Sequence, residues 1–234
     1  MAAMSARTRS RKNGAGRHQR VTSKAGTSAT AFAYNVLLDR ILSRSLPAGT
    51  ALRERSLADA VGISRTPLRE ALSRLEGEGL IVRAADRTVT VRAMTVREFI
   101  EALHVRRLLE PEAAALAATR MSAEDILDLK HQVEDLMNQS NPSPGHHWSV
   151  DDNIHAAIAG AADNDLMTEI ICNLRHKTRI FNLKRMPDRF LPGCREHLIL
   201  LDALLARDAD AARVAMTTHI DNVKASILAK LAET

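Results

Sequence analysis

The sequence predicts a mainly α protein, with one small β-hairpin in its first half and an all-α helical bundle behind it. Apolar residues recur at helical spacing over most of the chain after residue 28. Runs of β-branched residues with strand character occur in one region only, between residues 80 and 91. Only six of the 234 residues are aromatic, so Leu, Ala, Val and Ile must build the core, and this composition favours helices.

Positive charge is concentrated towards the N-terminus. Residues 1–28 hold seven Lys or Arg and no acid, residues 29–93 have a net charge of +3, and residues 94–234 have a net charge of −5. This asymmetry indicates that the front half meets a polyanion, with nucleic acid the obvious one. A solubilising tail on an ordinary domain would give the same charge, so charge alone leaves both interpretations open.

Several function classes are disfavoured by composition. Cys172 and Cys194 are the only cysteines, too few for a disulfide framework or a Cys-rich zinc module. No apolar run approaches the roughly 18 residues that span a membrane. The basic N-terminus has no apolar segment after it, so it is not a secretory signal, and we expect a cytoplasmic protein. Residues 1–28 show no apolar period and are predicted to form a disordered basic tail.

Residues 29–93 have the element order of a winged helix-turn-helix. A first helix begins after Ser28, and two short helices follow, separated only by Gly62, Ile63, Ser64 and Arg65. Two β-branched runs around a polar turn then form a hairpin. The predicted helices span 29–44, 54–61 and 66–76, and the predicted strands span 80–83 and 88–91.

The third helix has the two faces that DNA recognition needs. Its apolar stripe occupies one face, and the other faces carry Arg65, Thr66 and Arg69. These three residues lie at the start of the helix, which is the end that enters the major groove in this motif. Arg binds guanine bidentately or a phosphate. Arg69 has no acid three or four residues away to pair with, but arginines on a solvated face would look the same. The stripe consists of Leu68, Ala71, Leu72 and Leu75.

Residues 94–234 are predicted to form an all-helical unit. Helical patterns follow one another without a strand signal, and Asn141 to Gly145 is the clearest loop. The predicted helices span 95–119, 122–139, 148–162, 164–185, 193–206 and 208–231.

Three histidines and one aspartate in this unit have the spacing of a metal site. Asp151 lies one turn before His155, so one helix face directs both side chains at one ion, and His197 and His219 lie on later helices. A carboxylate and three imidazoles suit zinc, nickel, manganese or iron. Each histidine alone is more often an ordinary interior or surface residue. We expect His146, His147 and His176 to lie at the surface or in loops.

The run Ser64-Arg65-Thr66-Pro67-Leu68-Arg69-Glu70-Ala71-Leu72 closely resembles the winged helix-turn-helix of GntR-family regulators. The resemblance implies DNA contacts by the residues matching Arg55, Arg65 and Arg69, and we add Thr66 at the helix start. The wing of that family usually carries Arg-Gly, whereas this chain has Arg87-Thr88. The wing contact is therefore assigned to Arg87 alone, reaching a phosphate.

The helical unit resembles the ligand-sensing domain of the FadR-like subfamily. Its metal ligands occur in a fixed order, which this chain matches with Asp151, His155, His197 and His219. The last two are 22 residues apart. The resemblance implies a divalent metal ion and a small carboxylate effector oriented by nearby basic residues. It also implies a homodimer on a pseudo-palindromic operator in double-stranded DNA. The candidate effector residues are Arg107, Arg175 and Arg179.

These observations predict a sequence-specific transcriptional regulator rather than an enzyme. One alternative is a metal-dependent hydrolase with an accessory DNA-binding domain, which metal-dependent turnover of an ester or amide would favour. The other alternative is a sequence-independent DNA-binding protein. It would bind an operator no better than random duplex.

Overall fold

The computed structural model describes residues 28–140, 143–181 and 189–232. Of the predicted disordered tail at residues 1–28, only Ser28 lies within these ranges. The described elements follow in the order α1 (Ala29–Leu42), α2 (Glu54–Val61), α3 (Arg65–Gly77), β1 (Ile81–Arg83), β2 (Val89–Val91), α4 (Val96–Arg120), α5 (Ala123–Asn138), α6 (Pro144–Ala161), α7 (Asp165–Ile180), α8 (Phe190–Leu205) and α9 (Ala209–Ala232).

The predicted fold class is confirmed: a winged helix-turn-helix precedes a helical bundle. β1 and β2 are antiparallel, with Ile81 opposite Val91, and form the wing. An isolated bridge between Ala51 and Thr90, which the sequence did not predict, ties the turn before α2 to the wing. Gly62 caps the C-terminal end of α2, and its φ of 75° is a left-handed value that Gly adopts without strain.

The apolar stripe of α3 forms the centre of the first core. Its four members are buried, and they pack with Leu37 of α1 and with Ile81 of the wing. Burial of these side chains fixes the rotation of α3 about its axis. The opposite face of α3 is therefore turned to solvent.

Several helix boundaries in the bundle differ from the predicted ones. α6 begins at Pro144 instead of 148, because the Ser143 hydroxyl accepts a hydrogen bond from the His146 N–H at 3.1 Å, and Pro suits the first helical turn. The predicted loop at 141–145 therefore loses its last two residues to α6, and residues 141–142 lie outside the described ranges. α8 begins at Phe190, three residues early. α7 ends at Ile180 rather than 185, and residues 182–188 are not described.

α4 is the central helix of the second core. It packs against α6, α7, α8 and α9. Ala113, Ala114, Ala117 and Ala118 are fully buried, and their small side chains let the neighbouring helices approach closely. A capping box fixes its start: the Thr95 hydroxyl accepts from the Glu98 N–H, and the Glu98 carboxylate accepts from the Thr95 N–H.

α7 connects the two cores. Ile180, at its C-terminal end, packs against the core of the winged helix-turn-helix. The backbone carbonyl of Ile180 also accepts a hydrogen bond from Arg44 Nη2 at 3.1 Å. Arg44 lies two residues beyond the end of α1, so this hydrogen bond joins the C-terminal ends of α1 and α7. Among the described helices, none is long and apolar enough to cross a membrane.

Candidate DNA-recognition surface and metal centre

The side chains predicted to contact DNA are all exposed to solvent. Arg65, Thr66 and Arg69 are exposed on the first two turns of α3, and Arg55 is exposed on α2. Ser64 precedes α3 as its N-cap residue, but its side chain makes no capping hydrogen bond. The first N–H groups of α3 therefore retain their capacity to donate to an anion such as a phosphate.

Arg69 has an acidic partner that sequence spacing did not reveal. Its Nε donates to Glu54 Oε2 of α2 at 2.7 Å, across a separation of 15 residues. As expected, no acid lies three or four residues from Arg69 on its own helix. The fold instead brings an acidic partner from α2. This ion pair holds the guanidinium near the start of α3 while most of the side chain stays exposed.

The turn at the wing tip has Arg87-Thr88 in place of the Arg-Gly pair, and its left-handed residue is Arg87. Arg87 itself has a left-handed φ of 66°, whereas Thr88 is not among the residues with positive φ. The Thr88 N–H donates to Asp86 Oδ1 at 2.9 Å, which stabilises this tight turn. Arg87 is exposed at the tip, so its side chain extends away from the hairpin.

Four predicted metal ligands from three helices meet inside the bundle. Asp151 and His155 lie one turn apart on α6, His197 is on α8 and His219 is on α9. One ligand atom from each lies within 4.8 Å of all the others. His197 Nε2 is 3.4 Å from His155 Nε2 and 3.6 Å from Asp151 Oδ1. All three histidines are buried.

Two glutamates determine which imidazole nitrogens face the centre of this cluster. Glu110 of α4 contacts His155 Nδ1, and Glu196 Oε2 lies 2.9 Å from His219 Nδ1. An ionised carboxylate only accepts hydrogen bonds, so each Nδ1 carries the proton and each Nε2 keeps its lone pair. Metal-binding histidines typically have this arrangement, since a carboxylate on the second nitrogen orients the ring and raises its basicity.

Burial and neighbouring charges set the protonation of the cluster. Burial opposes ionisation of Asp151, but Arg175 and the imidazoles hold the pKa of this carboxyl well below its ordinary value. Burial, with the positive charge of Arg175, lowers the pKa of His155 to about 4. The pKa of His197 is also lowered, first by burial and then by His219. At neutral pH the Asp151 carboxyl is therefore ionised, and the imidazoles of His155 and His197 are neutral.

Glu110 is itself held by buried partners. Burial alone would raise its pKa, but the Arg106 guanidinium and His155 keep the pKa well below the ordinary value for Glu. Arg106 contacts Glu110 one turn away on α4, and its Nη1 donates to Thr178 Oγ1 of α7 at 3.1 Å. The network thus links α4, α6 and α7 through one carboxylate.

Two of the three predicted effector residues lie beside the cluster, and one does not. Arg175 Nη2 donates to Asp151 Oδ2 at 2.6 Å and to Asp152 Oδ1 at 2.9 Å. Arg179 contacts Asp152, and its Nε is buried without a hydrogen-bond partner in the described part of the chain. Arg107 is half exposed and pairs with Asp221 at 2.6 Å on the surface.

Sequence reasoning missed Glu110, Glu196 and Asp152. Two of them stand directly next to a predicted ligand, Glu196 before His197 and Asp152 after Asp151, and this adjacency was an available signal. Glu110 had a weaker one: it stands four residues after Arg106, the spacing of an ion pair on one helix face. For the remaining histidines, His146 is exposed as expected. His147 and His176 are instead partly buried on α6 and α7, because both helices turn these positions towards neighbouring elements.

The residues present fit a divalent cation. Three imidazole nitrogens and one carboxylate oxygen converge from three helices, and such donors suit zinc, nickel, manganese or iron. Burying these polar groups together costs free energy, which a cation bound among them would offset. The donor set thus defines a possible metal site.

Comparisons with known proteins agree with this architecture. The model of the gntR family of bacterial regulatory proteins matches residues 29–91, and the FCD domain model matches residues 101–222. The HTH-type transcriptional repressor RspR of Escherichia coli K12 is 26% identical over 200 residues, covering 83% of this chain and 86% of its own. The Uxu operon transcriptional regulator of the same strain is 29% identical over 197 residues, covering 75% and 77%.

A solved structure supports the fold. E. coli McbR/YncC superposes with a TM-score of 0.73 at 22% identity, covering 89% of this chain and 99% of that one. A winged helix-turn-helix joined to a helical domain defines the class of DNA-binding transcriptional regulators. The chain belongs to the GntR family and carries an FCD domain, as the sequence resemblance implied.

The buried Glu110 network yields a stability prediction. Glu110→Gln removes a charge that Arg106 and His155 both contact, and the buried guanidinium is left uncompensated. We expect a loss of about 3 kcal/mol in the free energy of unfolding, measured by urea denaturation in the presence of a chelator. Glu112→Gln, on the same helix but half exposed in its pair with Arg213, is the control and should change little. Equal losses in both variants would contradict the role assigned to Glu110.

Proposed function

We propose that this regulator binds its operator under the control of a small carboxylate effector held at a metal-containing pocket in the helical unit. The observation that supports it most is the buried cluster of Asp151, His155, His197 and His219, two of whose imidazoles are oriented by carboxylates. Burying these polar groups costs free energy, which the binding of a metal ion would offset.

DNA binding is assigned to the exposed side of the winged helix-turn-helix. α3 enters the major groove with Arg65, Thr66 and Arg69, while Arg55 and the wing residue Arg87 contact the backbone. We infer a homodimer, since two such units related by a twofold axis match a pseudo-palindromic operator in double-stranded DNA. Exposed apolar side chains such as Leu108, Ile199 and Val214 are candidates for the contact between two copies.

The metal ion is assigned to Asp151, His155, His197 and His219. A bound divalent cation would supply positive charge that attracts a carboxylate and would cross-link α6, α8 and α9. Zinc, nickel, manganese and iron all accept these donors.

The effector carboxylate is assigned to the neighbourhood of Arg175 and Arg179. Arg179 has a buried Nε without a hydrogen-bond partner among the described residues, and it contacts Asp152 beside the cluster. An anion would satisfy that nitrogen. Arg107 is left out of this assignment, because its surface pair with Asp221 holds it elsewhere.

α7 provides the connection from effector to DNA. Arg175 and Arg179 are on this helix, and Ile180 at its end packs on the first core. Suppose that α7 has two arrangements and that the effector binds one of them more tightly. The difference between the two affinities then sets how far the effector shifts the population of DNA-binding geometries.

The metal assignment is tested by removing single ligands. His155→Ala and His197→Ala should each lose most of the divalent metal that the parent retains after purification without chelator, as measured by elemental analysis. Chelator should lower the melting temperature of the parent, because the ion stabilises only the folded bundle, and should leave these variants unchanged.

His131→Ala is the matched control, since His131 is an exposed histidine on α5. It should keep the parent's metal content. Equal metal in the parent, the control and both ligand variants would show that the cluster holds no ion.

The recognition helix is tested on an operator selected from random duplexes by the full chain. Arg65→Ala and Arg69→Ala should each weaken binding by about 1–3 kcal/mol, and a base-contacting Arg should also lose discrimination at one position. Arg97→Ala, an exposed Arg of α4 in a surface pair, is the control and should bind as the parent does. Unchanged affinity in both α3 variants would refute the assignment. Selection without a consensus would favour sequence-independent DNA binding.

The effector assignment is tested by a thermal-shift screen of small mono-, di- and tricarboxylates on the metal-loaded chain. A ligand at about 100 times its Kd adds about 2.7 kcal/mol to the free energy of unfolding. Arg179→Gln should abolish this shift, whereas Arg107→Gln should retain it. A shift that survives Arg179→Gln and chelator treatment would place the ligand elsewhere. Metal-dependent turnover of the ligand would favour the hydrolase alternative.

A further inference from the structure

A cavity lies between the two units, apart from the Asp/His cluster. It has a volume of about 260 Å³, and none of the four candidate metal ligands lines it. Gly79 and Arg92 form the wall on the side of the winged helix-turn-helix. Val105 of α4 and Leu174, Lys177 and Ile180 of α7 form part of the opposite wall.

Charged side chains around this cleft are paired, with one exception. Arg92 pairs with Glu98, which also accepts from the Thr95 N–H at 2.8 Å. Glu101 pairs with Arg97 at 2.8 Å. Lys177 makes no hydrogen bond or ion pair with any residue in the described ranges.

Lys177 reaches from α7 to the other unit. Its Nζ lies 3.5 Å from the point that a Cβ on Gly79 would occupy, and its Cε lies 3.3 Å from that point. Gly79 has a φ of 72°, a left-handed value that glycine adopts without strain. It also has no Cβ that would crowd the end of the Lys177 side chain. The absence of a side chain at residue 79 leaves room for the ammonium group in the cleft.

The remainder of the wall is mostly apolar. Met94, Ala102, Val105, Leu174 and Ile180 line it. Small-molecule sites usually combine apolar walls with a few polar or charged groups. Here Arg92, Glu98 and Glu101 are already paired, so Lys177 is the charged group in the described lining that is left for a ligand. An unpaired ammonium beside apolar side chains is complementary to an anion attached to an apolar body.

We propose that this interdomain cleft binds a small amphipathic carboxylate, with the carboxylate on Lys177 and the apolar body against Val105, Leu174 and Ile180. The occupant contacts both units at once. It therefore restrains α7 relative to the turn that follows α3. This site is independent of the metal centre and of the effector assigned to it.

Benzoate is the probe, used with the full chain after chelator treatment, and benzamide is its uncharged counterpart. In a ligand-detected NMR titration benzoate should bind and benzamide should bind more weakly. Lys177→Met should raise the benzoate Kd about tenfold, as expected for a lost charged hydrogen bond. Lys224→Met, a lysine of α9 outside the cleft, removes the same charge and should leave the Kd unchanged.

Val105→Trp is a second variant that blocks the cleft without touching Lys177. Val105 is 38% exposed, so the larger side chain has room to be accommodated, and the fold is checked by circular dichroism. It should also raise the benzoate Kd about tenfold. Absence of binding at about 10 mM benzoate, binding that needs metal, or binding equal in the parent and both cleft variants would each overturn the proposal.

Discussion

The contact between Glu110 and His155 is the interaction on which the helical unit depends. It places an ionised carboxylate of the central helix α4 against an imidazole of α6, beside a core built mainly of Leu, Ile and Ala. A buried carboxylate is tolerated only with strong partners, and Arg106 and His155 supply them. Because the contact fixes the proton on Nδ1, it also decides which nitrogen of His155 faces the other candidate ligands.

The same network extends to the first unit through α7. Arg106 bonds Thr178 of α7, and Arg175 of α7 bonds Asp151. Two residues after Thr178, Ile180 packs on the core of the winged helix-turn-helix. One helix thus carries groups that touch the polar cluster and groups that touch the DNA-reading unit. The contacts with Asp151 and Asp152 and the contact with the first unit therefore lie within a few residues of one another on a single helix.

Local signals in the sequence predicted much of this arrangement. Apolar spacing placed Leu68 and Leu72 in a core, and the i, i+4 spacing placed Asp151 and His155 on one face of α6. Contacts between distant segments were beyond such signals. The pairing of Arg69 with Glu54 arises from how α2 and α3 cross, and the capture of His155 by Glu110 arises from how α4 and α6 pack. The N-terminal turn of α6 depended on capping by Ser143, which competes with the loop propensity of the residues around it.

The central claim is that the buried carboxylate and imidazoles of the helical unit hold a metal ion. Anomalous diffraction from crystals of the chain, purified without chelator, tests it most directly. One anomalous peak enclosed by Asp151, His155, His197 and His219 is expected. A strong peak elsewhere, or a map without an anomalous peak among these four side chains, would contradict it.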